Sequence, residues 1–71
     1  MQISGTVRYL DLEGGFWGII ADDGRKLLPI GGVPSALQRD GQRVQATVET
    51  AHVMSMRMWG EPVRVTSIQA H

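Results

Sequence analysis

The chain has no cysteine among its 71 residues. That excludes a disulfide staple and a thiolate metal site, and it fits a reducing compartment. It has no net charge either: seven basic side chains balance seven acidic ones. Phosphate neutralisation supplies most of the affinity of a nucleic-acid binder, so a neutral chain counts against that role. No long hydrophobic run is present, which excludes a spanning helix, and no membrane partner is expected. The first residues, Met1-Gln2-Ile3-Ser4-Gly5, lack the basic, apolar and small-residue order of a secretory leader. A cytoplasmic location is therefore expected. Histidine is scarce, with only His52 and His71, and no serine or threonine sits in a nucleophile motif. Neither enzymatic activity nor a cofactor is expected.

At this length the chain reads as one domain, residues 1–71, with a single modest core. What it does contain is alternation. In residues 2–12, Ile3, Gly5, Val7 and Tyr9 share one parity and Ser4, Thr6, Arg8 and Leu10 the other. Period two with valine, threonine and tyrosine predicts a strand. Glu13-Gly14-Gly15 breaks it, and a second strand follows from Phe16 to about Asp22. Asp23-Gly24 is a strong hairpin signal, because its primed turn matches strand twist. Residues 25–28 form the third strand, and Pro29, with no amide to donate, ends it or sits on an edge.

Pro34 and Gly41 bracket one short helix over residues 34–39. Residues 42–50 alternate again, and a further strand is expected over residues 53–59. Gly60-Glu61-Pro62 should turn the chain into a last strand over residues 63–68. There Val63, Val65 and Ser67 share parity but Ile68 does not, which predicts a bulge or a change of face. Three strands, a helical stub and further strands predict an all-β, OB-like small barrel of five to six strands. Closure protects strand edges, which matters in so small a domain.

Gly5-Thr6-Val7, Gly15-Phe16, Gly18-Ile19-Ile20 and Asp22-Asp23-Gly24 resemble the first half of a cold-shock domain. Gly41-Gln42-Arg43-Val44 resembles that family's fourth strand. The resemblance implies an OB-fold that stacks single-stranded nucleic acid on surface aromatics. The chain departs from the pattern where that chemistry lies. Trp17 stands as an insertion, Ile19 replaces a stacking aromatic, and Lys26-Leu27-Leu28-Pro29 replaces the aromatic-histidine motif. A one-residue insertion in a strand exchanges its faces. A fuller resemblance is to small bacterial OB-like proteins of uncharacterised function. It rests on Gly5-Thr6-Val7, on the run from Leu12 to Ile19, on Asp22-Asp23-Gly24 and on Met58-Trp59-Gly60. It implies a barrel and no activity.

The first functional expectation is a non-catalytic binding or protein-interaction module, with another protein as partner. The alternative is a single-stranded nucleic-acid binder. For either ligand the candidate residues are Tyr9, Trp17, Arg25, Lys26 and Trp59. Phe16 and Trp17 are neighbours in a strand, so they face opposite ways. In one reading both rings pack, with Trp17 capping the barrel mouth; in the other, the outward ring joins Tyr9 beside Arg8, Arg25 and Lys26 as a stacking surface. A third reading is copper(I) held by His52, Met54 and Met56, since thioethers and imidazole suit a soft metal. Met54-Ser55-Met56-Arg57 is similar to a segment of small periplasmic copper chaperones, although Trp59 follows the methionines where that family's tryptophan precedes them. Against it stands the plainer role of methionine as filler of an irregular core. Asp11, Glu13, Asp22 and Asp23 read as turn and loop charges. Gly14-Gly15-x-x-Gly18 leads into a strand, so it is not a phosphate loop.

Overall fold

A computed structural model describes residues 1–52 and 59–71. Its elements are β1 (Gln2–Leu10), β2 (Phe16–Ala21), β3 (Lys26–Pro29), a 3-10 turn (Ser35–Leu37), β4 (Arg43–Thr50) and β5 (Glu61–Ala70). The strands close into a barrel in the order β1-β2-β3-β5-β4, consistent with a small OB-like barrel. Every pairing is antiparallel except that of β3 with β5.

Strand β1 serves two neighbours. Its first half pairs with β4, from Gln2 opposite Thr47 to Thr6 opposite Arg43. Its second half pairs with β2, from Gly5 opposite Ala21 to Leu10 opposite Phe16. Gly5 belongs to both ladders, where the strand must curve from one sheet segment into the next. A Cβ there would lie 2.6 Å from the Ile20 carbonyl oxygen, so no larger residue fits this crossing.

The alternating residues fill the barrel. Val7, Ile19, Leu27, Val44, Val48 and Val63 are fully buried, and Ala21, Ala46 and Val33 complete the cluster. Half-buried Ile3, Trp17, Leu37, Val65 and Ile68 pack against it. β-branched residues dominate because they sit well on a pleated, half-buried surface.

Two sequence expectations change. The short helix over residues 34–39 is a single 3-10 turn with no side-chain cap and no buried residue, so nothing favours its extension. The turn at Gly60-Glu61-Pro62 is confined to Gly60, with φ +71°. Glu61 and Pro62 already belong to β5, where Pro62 lies opposite Leu28 and its carbonyl accepts the Ala51 amide at 3.1 Å. A proline one residue into a strand forfeits only one ladder bond. Pro29 ends β3 as expected, as a buried member paired with Val63. Of the strand expected over residues 53–59, residues 53–58 lie outside the described residues, and Trp59 stands in a bend.

The parity break in the last strand has a structural counterpart. The β4–β5 register shifts between Thr47 and Val48, which face Ser67 and Val65, so Thr66 is the extra residue. The bulge lets Val63, Val65 and Ile68 all turn toward the core despite their uneven spacing.

Candidate binding face

The loop from β1 to β2 makes its turn with three successive residues at positive φ: Glu13 at 49°, Gly14 at 90° and Gly15 at 92°. The Gly15 amide donates to the Leu12 carbonyl at 2.8 Å and closes the loop. Tyr9 folds its hydroxyl over Gly15, into the space that a Cβ would take. From there the loop delivers Phe16 and Trp17 to opposite sides of β2.

Trp17 goes inward. It packs on the core cluster and meets Tyr9, its partner across the ladder, edge to face at 5.1 Å and 63°. Phe16 goes outward, yet it is only 9% exposed, because Trp59 covers it at 5.6 Å and 68°. Trp59 owes this position to Gly18. A Cβ on Gly18 would lie 2.5 Å from both Cη2 and Cζ3 of the indole. The absent side chain at Gly18 is the seat of the ring.

Trp59 divides the outer face into two clefts. The first, of about 380 Å³, is lined by Arg8, Tyr9, Leu10, Ile20, Lys26, Asp40 and Trp59. The second, of about 220 Å³, is lined by Leu12, Glu13, Phe16 and Trp59. Leu12, 51% exposed, gives the second cleft an apolar rim open to solvent, and Leu10 lies beside the indole in the first.

The charges around this face are mostly spent on one another. Arg8 reaches Asp40 at 3.5 Å, and the other oxygen of Asp40 accepts the Tyr9 amide at 2.9 Å. Arg25 donates to Glu61 at 2.8 Å, and that hydrogen bond raises the guanidinium pKa. Arg43 makes a two-pronged contact with Asp22 at 2.7 and 2.8 Å and also donates to Thr6 at 3.0 Å. The Arg43 hydrogen bond holds the Asp22 carboxyl below its ordinary value, and Asp22 in turn raises Arg43. Among the described residues, Lys26 and Arg39 are the lysine and arginine side chains without an ion pair.

Of the candidate residues, Tyr9, Lys26 and Trp59 come together in the first cleft. Trp17 lies on the inner side of β2, and Arg25 points its guanidinium to Glu61, away from that cleft's lining. His52 is exposed, while Met54 and Met56 lie outside the described residues. Among the described residues, no group of three or more histidine, aspartate or glutamate side chains is placed to hold a metal ion. Sequence reasoning missed Leu12, Phe16 and Gly18 as parts of the face. The signal was the shared parity of Phe16, Gly18 and Ile20, with a gap at the centre wide enough for a ring. Comparison with protein-family models, with curated proteins and with solved structures finds no match to the chain.

Proposed function

We propose that this protein is a non-catalytic interaction module, an OB-fold of the cytoplasm that binds another protein through the face around Trp59. One observation carries the reading. Exposed Leu12 and half-buried Leu10 flank a tryptophan beside which Arg8 is already paired. Aromatic anchors with satisfied charges at the rim suit a protein surface. They suit a phosphate backbone poorly, because Arg8 would first have to leave its carboxylate.

A second reading keeps the single-stranded nucleic acid. It is favoured by the first cleft alone, where Tyr9 and Trp59 share a wall with Lys26. Stacking on such rings contributes about 1–3 kcal/mol per base, and one unpaired lysine adds little to that.

Two measurements separate these readings. A displayed library of ten-residue peptides is selected on the immobilised protein and counter-selected on Leu12→Asp. Mixed-sequence oligonucleotides are titrated at low salt, with anisotropy as readout. Peptides that bind the parent chain and not Leu12→Asp support the interaction module. Oligonucleotide binding that weakens with salt, together with no Leu12-dependent peptide, would replace it with the nucleic-acid reading.

A further inference from the structure

The two edges of β5 are unequally covered. On one side β4 pairs with it from Val63 through Ala70. On the other, β3 reaches only Glu61, Pro62 and Val63, and the Ile30 amide adds a last bond to the Val63 carbonyl at 3.0 Å. Beyond Val63, no main-chain hydrogen bond joins that side of β5 among the described residues. The chain leaves β3 at Pro29 and swings away through Ile30, Gly31 and Gly32. A groove of about 460 Å³ opens between this loop and residues 64–68 of β5. Its volume falls in the range of ligand sites, roughly 300–1,000 Å³.

The walls of the groove state what it can take. One wall is Ile30, 42% exposed, with Pro34 beside it. The other is a strand edge, with half-buried Val65 and Ile68 and the exposed bulge residue Thr66. Residues 65–70 carry no charge and no proline, the usual guards of an open edge. The bulge gives local twist, which keeps the edge from being a flat template, and it leaves the ladder incomplete at Thr66. At one end stands Arg64, more than half exposed, whose 3.9 Å contact with Glu49 is the longest of the described ion pairs and so the one most readily exchanged for a second carboxylate.

We propose that the β5 edge over residues 64–68 is a docking groove for an extended peptide segment of another protein. The segment enters as an added strand in the line that β3 vacates. Its apolar residues rest on Ile30, Val65 and Ile68, and an acidic residue faces Arg64. Five strand residues span about 13 Å, so the core of the motif is four to six residues long at roughly 3.3 Å each. Main-chain donors and acceptors at an edge select an extended polypeptide; a nucleic acid has no repeat that matches them. A second copy of this chain fits poorly, because its own β5 edge is walled by its own Ile30–Pro34 loop. This groove is separate from the face around Trp59, and the two share no lining residue.

The displayed ten-residue library tests it on the full chain, counter-selected on Ile30→Asp. Ile30 is exposed, and circular dichroism with a thermal melt confirms that the variant folds. Enriched peptides should alternate apolar residues, carry an acidic residue at one end, and weaken at least tenfold on Ile30→Asp while tolerating Leu12→Asp. N-methylation of two alternate peptide amides should weaken them by about tenfold, the value of two lost hydrogen bonds. No peptide sensitive to Ile30→Asp, or binders indifferent to N-methylation at every position, overturns the proposal. So does a concentration-dependent dimer in sedimentation that Ile30→Asp converts to monomer, which assigns the groove to a second copy. Peptides lost on Leu12→Asp and kept on Ile30→Asp support the Trp59 face and refute this groove.

Discussion

The indole of Trp59 rests on the backbone of Gly18, with no room for a methyl group between them. This contact joins the bend before β5 to the middle of β2 and buries Phe16 beneath the ring. Gly18→Ala should therefore expel Trp59, re-expose Phe16 and cost about 1–3 kcal/mol, the usual range for forced overpacking. Thermal melts and tryptophan emission read both effects. A double-mutant cycle identifies the cause: in a Trp59→Ala background the added cost of Gly18→Ala should largely vanish. An undiminished cost would place the effect in the strand rather than under the ring.

Two adjacent glycines in the β1–β2 loop should behave differently. Gly14 and Gly15 both adopt φ near +90°, so an alanine at either is strained by about 1 kcal/mol. A Cβ on Gly14 would meet no described atom within 4 Å beyond its chain neighbours, whereas at Gly15 the Tyr9 hydroxyl already fills that space. Gly15→Ala should thus destabilise more than Gly14→Ala in urea unfolding. Tyr9→Phe removes the hydroxyl and should narrow the gap. Equal costs for the two alanines would mean that Tyr9 moves away freely.

The barrel was legible in the sequence because its strands are half-buried and alternate, so each carries its own pattern. The bulge was legible as well, since Ile68 is apolar at the wrong parity and the core takes it. The start of β5 was not. Glu61 and Pro62 look like a turn, and only their pairing with β3, more than thirty positions earlier, makes them a strand. The same limit hid the candidate face. Parity put Phe16 and Trp17 on opposite faces without saying which was outward, and no local signal says that Trp59 returns to cover Phe16. Local pattern fixes which side chains share a face; what meets them there is decided by long-range closure.

The Arg43–Asp22 contact ties β4 to the β2–β3 hairpin and should give the barrel a defined acid response. The folded carboxyl of Asp22 is held below the ordinary value of 3.8 by the Arg43 hydrogen bond. A lowered folded pKa means that the stabilisation is fully present above the unfolded value and is lost as pH falls through the folded one. Melting temperatures of the parent and Asp22→Asn should differ above pH ~5 and converge only as pH falls well below the unfolded value of ~4, through the lowered folded one. The pair is exposed, so added salt should shrink the difference at neutral pH. A difference that persists at pH ~2 would assign the effect to packing instead.

The bulge at Thr66 gives a test of register by deletion. Val63, Val65 and Ile68 face the core only because one extra residue separates the last two. Removing Thr66 leaves these three residues at regular alternation, all still inward, in a straightened strand. Removing Arg64 instead turns Val65 outward and brings Thr66 to an inward position, because a one-residue slip exchanges the faces. The Arg64 deletion should therefore be the less stable of the two by about 1–2 kcal/mol, the value of a half-buried valine. Chemical unfolding of both deletion variants measures the difference. The opposite order would show that β5 needs the bend at Thr66, to close the barrel against β4, more than it needs Val65 in the core.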